Sequence, residues 1–99
     1  MSVVQFTRFK SDKAEEMVKI AKQAKTIFEG HGAEFLRLSR FHTGMWAGEW
    51  LVATRYDSWE VYGKVQEAVA KDPAFAKLMA ETMTVAELRG RNIAVGVDL

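Results

Sequence analysis

The chain has 99 residues, a length that predicts one small domain over residues 1–99. Apolar residues make up 48% and charged residues 27%, which excludes a disordered tail, a collagen-like chain and a membrane span. The net charge of +1 gives no argument for a nucleic-acid partner, and the absence of cysteine removes disulfides and thiolate metal sites.

The first predicted elements are a strand and a helix. Val3–Phe9 mixes β-branched and aromatic residues, as strands do, and both of its alternating faces are partly apolar. Asp12, followed by Glu15 three residues later, predicts a helix start of the capping-box type. The Gly-His-Gly sequence at 30–32 ends this helix, because glycine readily adopts the left-handed conformation of a helix C-terminus.

Two further strands are predicted as a hairpin. They span Ala33–Thr43 and Gly48–Asp57, with a short loop at 44–47 between them. A turn centred on Met45 and Trp46 pairs aromatic residues across the strands, whereas a slip of one residue would exchange every face. The predicted pairs are Phe41 with Trp50, Ser39 with Val52, Arg37 with Thr54, Phe35 with Tyr56, and His42 with Glu49.

Two helical segments and a last strand complete the chain. Asp57 predicts the start of one segment, and Asp72 followed by Pro73 predicts a second start. Thr84–Leu99 alternates apolar and polar residues and is predicted as a strand, with Gly90 marking a bulge or bend.

The element order β-α-β-β-α-β is the α+β, ferredoxin-like arrangement, an antiparallel sheet with helices on one face. The other face of such a sheet is left bare. Its apolar side chains are poorly suited to water, so we expect a second copy of the chain to pack against it.

Several short stretches carry a family resemblance across nearly the whole chain. They are the strand 3–9, the helix stop 30–32, Tyr56-Asp57-Ser58-Trp59-Glu60, and Lys71-Asp72-Pro73-Ala74-Phe75 before Leu78-Met79. On these the chain resembles the dimeric α/β-barrel superfamily, including antibiotic-biosynthesis-monooxygenase-like proteins, in which two sheets pack face to face. The resemblance implies a homodimer that forms an α/β barrel. Members range from cofactor-free monooxygenases, lactone isomerases and haem-degrading enzymes to proteins of no known activity, so the fold does not choose the function.

The catalytic patterns of this superfamily are only partly present. In the haem-degrading branch of the superfamily that the chain resembles, the pattern is Asn on the first strand, Trp in the second helical region and His about ten residues later. Here these positions hold Gln5, Trp59 and Val69, so no haem or other cofactor is expected. The cofactor-free monooxygenase pattern matches at Trp59 alone, and the sequence has no metal-ligand spacing. Trp59 and His42 are the candidate catalytic residues.

The strands also contain the residue types that form ligand pockets. Ligand sites combine an apolar wall with a few polar groups, and arginine suits an anion. The wall candidates are Phe6, Phe35, Phe41, Trp50, Tyr56 and Trp59, and the polar candidates are Gln5, Thr7, Arg37, Ser39 and Thr54. The alternative is that the aromatic residues form the core and a dimer interface. Internal ion pairs would likewise explain the strand arginines Arg37, Arg40, Arg55, Arg89 and Arg91.

The two histidines have two interpretations each, and Trp46 has one. His42 opposite Glu49 would be tuned for proton transfer, or the pair would serve only the strand register. His31 would be a base or ligand on a loop, or a solvated residue favoured by the helix dipole. Trp46 in the hairpin loop is expected to pack on the second subunit.

Three functions remain open from the sequence. The first is a small dimeric protein with a pocket for a small aromatic or anionic ligand. The others are a cofactor-independent monooxygenase or isomerase, and a non-catalytic interaction module. We expect a cytoplasmic protein with neither a nucleic-acid nor a membrane partner, because no signal peptide or long apolar stretch is visible.

Overall fold

Four antiparallel strands form one sheet in the order β2-β3-β1-β4, and three helices complete the fold. The computed structural model describes all 99 residues. The elements are β1 (Val3–Lys10), α1 (Ala14–Gly30), β2 (Phe35–Arg40), β3 (Trp50–Tyr56), α2 (Trp59–Ala70), α3 (Pro73–Val85) and β4 (Glu87–Val95). This strand order confirms the predicted α+β, ferredoxin-like fold. None of the helices combines the length and apolarity needed to cross a membrane.

The helix starts follow short polar side chains, but not always the predicted ones. Asp72 accepts a hydrogen bond from the backbone N–H two residues later at 2.9 Å and caps α3, as predicted. Ser58 rather than Asp57 caps α2, since its hydroxyl accepts from the N–H three residues later at 3.2 Å. The predicted cap by Asp12 is wrong, because α1 begins after Lys13 without a side-chain cap. The last strand is also shorter than predicted, because α3 continues through Val85.

The predicted hairpin register is wrong by one residue. Leu36 lies opposite Thr54 and Leu38 opposite Val52, so both leucines point toward the helices. The prediction favoured aromatic pairs across the strands, whereas the register that forms lets the helices cover both leucines and leaves Leu36 only 3% exposed. Arg37 consequently lies on the other face of the sheet.

The predicted pair between His42 and Glu49 does not form. Glu49 accepts a hydrogen bond from Nε of Arg8 at 3.0 Å instead, while His42 is exposed in the loop. The guanidinium of Arg8 also lies 3.9 Å from the ring centroid of Trp46. The loop between β2 and β3 thus folds onto its own sheet through Trp46, and a contact of Trp46 with a second subunit stays a prediction.

The pairing of β1 with β4 contains the bulge predicted near Gly90. Phe9 pairs with Leu88 and Arg8 pairs with Gly90, so Arg89 is the extra residue. A Cβ atom at Gly90 would lie 2.9 Å from Nη1 of Arg8, so glycine lets the arginine side chain lie across the strand. Beyond the bulge Arg91 pairs with Thr7 and therefore points to the helix side.

The two faces of the sheet have different surroundings. On the helix side, Phe9, Met17 and Trp50 form one buried cluster. A second buried cluster joins α2 to one end of the sheet and consists of Val3, Ala33, Tyr56, Val65 and Val69. The opposite face, here called the open face, carries half-buried apolar side chains with no helix over them. They are Val4, Phe6, Phe35, Leu51 and Ala53.

A side-chain hydrogen bond joins the end of α1 to the start of α3 and makes acid stability testable. Nε2 of His31 lies 2.8 Å from Oδ2 of Asp72, and this hydrogen bond, with one from a backbone N–H, holds the pKa of Asp72 below its usual 3.8. A carboxyl pKa lowered in the folded state stabilises the protein above pH 3.8, and the stabilisation is lost as the pH falls through the lowered value. We expect Asp72→Asn to flatten the acid limb of a urea-unfolding series, since asparagine still caps α3.

The partner of Asp72 provides the control for this prediction. His31→Asn removes the ring but keeps the carboxylate, and should flatten the same limb because the main cause of the lowered pKa is gone. An acid limb of Asp72→Asn that runs parallel to that of the original protein would contradict the assignment.

Candidate functional site

A cavity of about 80 Å³ lies between the sheet and the helices α1 and α3. Twelve of its 17 lining residues are hydrophobic, among them Met17 and Phe28 of α1 and Leu78 and Met79 of α3. The five polar members of the lining come from four different elements. They are Gln5, Thr7, Thr54, Thr82 and Arg91. An apolar chamber with few polar groups is the usual composition of a small-molecule site.

Arg91 and Gln5 are the polar groups best placed to meet a ligand. Arg91 is exposed as a residue and yet lines the cavity, so it lies where the cavity meets the surface. It makes no ion pair with any carboxylate of the chain. By contrast, the hydroxyl of Thr82 donates to the carbonyl of Leu78 at 2.7 Å and is satisfied within α3. The mouth of the cavity therefore holds a positive charge without a partner.

A cluster of aromatic and amide side chains lies beside Gln5. The hydroxyl of Tyr62 donates to Oε1 of Gln5 at 3.2 Å, and Nε2 of Gln66 donates to the hydroxyl of Tyr56 at 2.9 Å. The rings of Tyr56 and Tyr62 are 5.1 Å apart and perpendicular, and Trp59 makes a similar edge contact with Tyr62 at 5.6 Å. These contacts link α2 to β1 and β3, two of the strands that line the cavity.

The electrostatics of this cluster keep Tyr56 neutral. Burial raises the pKa of Tyr56 to about 12, a rise opposed by the hydrogen bond from Gln66 and, more weakly, by the charge of Arg91. At neutral pH the phenol is therefore a hydrogen-bonding group rather than a base.

The residues predicted to bind a ligand are spread over the molecule. Arg37 and Ser39 are exposed on the side of the open face, Trp50 and Tyr56 are buried in the core, and Trp59 is 50% exposed on α2. None of these five lines the cavity. Their direct contact with a ligand stays a prediction, although Tyr56 and Trp59 both pack against Tyr62 beside it.

Neither histidine lines the cavity. His31 binds Asp72, and His42 is exposed in the loop after β2, so the histidine that haem binding would need is absent from the lining. Catalytic roles for His42 and Trp59 stay predictions, since neither residue lies among the cavity's polar groups.

Two of the five strand arginines form ion pairs with carboxylates, and three do not. Arg55 binds both carboxylate oxygens of Glu34 at 2.8 Å, and Arg89 lies 3.6 Å from Glu87. Arg37 and Arg40 instead stack on aromatic rings of β2 and β3, with guanidinium-to-centroid distances of 4.1 and 4.6 Å. Internal pairing thus explains two of the set, and Arg91 alone of the five reaches the cavity.

Sequence reasoning found part of the site and missed part. Gln5, Thr7 and Thr54 were expected as polar pocket groups, and all three line the cavity. Tyr62 and Thr82 are not among the pocket residues expected from the sequence. The spacing from Trp59 to Tyr62 places both on one helix face, which is the signal that would have joined Tyr62 to the aromatic cluster.

Comparisons with known proteins show the fold. The chain is similar to an uncharacterized NIPSNAP domain protein from Burkholderia xenovorans, with a TM-score of 0.75, 20% identity, and coverage of 98% of this chain and 95% of that one. The chain is also similar to SnoaB, a cofactor-independent oxygenase from Streptomyces nogalater, with a TM-score of 0.72 and 13% identity. The match covers 99% of this chain and 95% of SnoaB. A third similar structure is Rv0793 from Mycobacterium tuberculosis, with a TM-score of 0.70 and 13% identity, covering 100% of this chain and 98% of Rv0793.

The low identities limit what these likenesses mean. No protein-family model and no curated protein sequence matches the chain. The structural neighbours, which include an oxygenase of this fold and a NIPSNAP protein, confirm the predicted resemblance at the level of the fold. The chemistry of the cavity has to be argued from this chain's own residues.

Proposed function

We propose that this chain binds a small ligand with an apolar body and an anionic head in the cavity between the sheet and the helices. The observation that carries the proposal is Arg91, an arginine without an ion pair at the mouth of an otherwise apolar chamber. A guanidinium in this position would hold a carboxylate or enolate while the apolar lining covers the rest of the ligand.

The size of the chamber sets the size of the ligand. Its volume of about 80 Å³ is less than that of an engineered cavity of about 150 Å³ that binds benzene in another protein. A ring-bearing ligand would therefore project its head toward Arg91 and displace flexible lining residues. Met17 and Met79 suit this role, because the unbranched thioether chain repacks at low cost.

The direct test is titration with benzoate, followed by isothermal calorimetry and amide NMR. We expect Arg91→Gln to weaken benzoate binding by at least tenfold, because a hydrogen bond to a charged group contributes about 1.5–3 kcal/mol. Arg40→Gln is the matched control, since Arg40 is also an arginine without a carboxylate partner but lies outside the cavity. Equal loss in both variants, or no binding to the original protein, would refute the proposal.

A second candidate is cofactor-independent oxygenase or isomerase chemistry in the same cavity. The hydrogen bond from Tyr62 to Gln5 at 3.2 Å favours it, because it puts a polarised amide beside the ligand space. SnoaB, with the same fold, is a cofactor-independent oxygenase. Oxygen uptake on adding a phenolic ligand, absent without protein, would move the proposal from binding to catalysis.

We also propose that a second copy covers the open face and completes a dimeric α/β barrel. The support is the set of apolar side chains on that face, which includes Phe6, Phe35 and Leu51 with no helix above them. Pairing two such sheets would remove this surface from water. A non-catalytic interaction module would show the dimer without ligand binding.

A further inference from the structure

We infer that Tyr62 is a positioning residue that orients the Gln5 amide, and that Gln5 and Arg91 together select carboxylate ligands over neutral ligands of the same shape. This inference rests on the proposed function, because it names the ligand class of the same cavity. It begins from one hydrogen bond, in which the Tyr62 hydroxyl donates to Oε1 of Gln5 at 3.2 Å.

Two aromatic contacts restrict the ring of Tyr62 and so fix the position of its hydroxyl. The ring centroids of Tyr56 and Tyr62 are 5.1 Å apart with an interplanar angle of 90°. Those of Trp59 and Tyr62 are 5.6 Å apart at 87°. Tyr56 is itself fully buried and hydrogen-bonded to Gln66. A tyrosine ring in edge contact with two other aromatic rings has little freedom to turn its hydroxyl away from Gln5.

The hydrogen bond decides which end of the amide faces the ligand. A glutamine side chain has one carbonyl oxygen that accepts and one NH₂ group that donates. Because Tyr62 engages the oxygen of Gln5, the NH₂ group remains available to the cavity that Gln5 lines.

Arg91 places a second donor on the same side of the sheet. It pairs with Thr7 on β1, two residues from Gln5, and both side chains line the cavity. Residues two apart on a strand share a face, and their long side chains can reach a common ligand. Gln5 and Arg91 thus offer the cavity N–H donors and no free acceptor, because the Gln5 oxygen is engaged and guanidinium cannot accept. The hydroxyl of Thr7, which also lines the cavity, both donates and accepts and therefore favours neither kind of ligand.

The Gln5 NH₂ group and the Arg91 guanidinium together favour a ligand group that only accepts hydrogen bonds. A carboxylate presents only acceptors and carries the charge that complements Arg91, so every oxygen finds a donor. A neutral carboxamide of the same shape has one carbonyl oxygen and one NH₂ group, so the donor that meets its NH₂ group is left unpaired, which is unfavourable in a site shielded from water. The ligand class is therefore a small apolar carboxylic acid in its ionised form.

The experiment compares benzoate with benzamide, which have nearly the same shape. We expect the original protein to bind benzoate at least tenfold more tightly than benzamide. In Tyr62→Phe the Gln5 amide is free to turn its oxygen to the cavity, so the benzoate-to-benzamide ratio should fall at least threefold. In Gln5→Glu the carboxylate still accepts from Tyr62 but repels benzoate, so the ratio should fall further, with benzamide retained.

The ratio separates positioning from simple damage to the fold. A variant that only loosens the cavity weakens both ligands together and leaves the ratio unchanged. Thr26→Val, which removes an exposed α1 hydroxyl bonded to its own helix, should keep the original ratio. An unchanged ratio in Tyr62→Phe would overturn this inference, while the loss in Arg91→Gln would still support the binding site. Failure of both ligands to bind the original protein would overturn the site and the inference together.

Discussion

Replacing Leu78 by alanine is expected to lower the free energy of unfolding by about 2–5 kcal/mol while creating room for a larger ligand. Leu78 is 2% exposed and lines the cavity from α3, so truncation removes buried contacts and joins the freed space to the existing chamber. The enlarged cavity should approach the roughly 150 Å³ that holds a benzene ring. Urea unfolding measures the loss, and calorimetry with benzoate should show tighter binding than in the original protein.

Leu88 provides the control for this prediction. It is also a leucine but is 44% exposed on β4, so Leu88→Ala should change stability by no more than about 0.5 kcal/mol. If Leu78→Ala lost stability but bound benzoate no better, the chamber would be ordinary core packing rather than a site that admits ligands.

Placing a charge at the centre of the open face is expected to separate the proposed dimer. Ala53 lies on β3 opposite Phe6 on one side and Arg37 on the other. In Ala53→Lys an ammonium group would be buried between two sheets without a partner, a change that costs roughly 3–5 kcal/mol and raises the dimer dissociation constant by at least 100-fold. Sedimentation velocity at micromolar concentration should then find one chain instead of two.

The same substitution on the helix surface separates a dimer effect from a general charge effect. Ala80 is exposed on α3, so Ala80→Lys should sediment like the original protein. Circular dichroism should show Ala53→Lys folded, since the lysine projects from a face that the chain does not cover itself. A single chain in the original protein, or a dimer that survives Ala53→Lys, would contradict the open face as the interface.

The architecture was predictable because its signals are local. Strand alternation in β1 and the Asp72-Pro73 start of α3 each depend on a few neighbouring residues. The hairpin register depended on two effects that favour different registers. Aromatic pairing across the strands favoured one register, and covering Leu36 with helices favoured the next, which is the one that forms.

The site was harder to predict because its parts are distant in the sequence. The alternation of β1 put Gln5 and Thr7 on one face, and both line the cavity. The hydrogen bond between Gln5 and Tyr62 joins residues 57 positions apart, and no local pattern encodes it. The side on which Arg91 emerges depends on the bulge, because strict alternation along β4 would group it with Glu87.

The bulge in β4 also bears on how this site tolerates insertions and deletions over evolution. Without Arg89, Leu88 and Gly90 would become consecutive residues opposite Phe9 and Arg8, and Arg91 would still face Thr7. A one-codon deletion at Arg89 would thus smooth the strand and leave the cavity's arginine in place. Deleting Asn92 instead would reverse the side on which Ile93 and all later strand residues emerge. Related chains can therefore differ in length by one residue at position 89 and still present the same guanidinium to the same chamber.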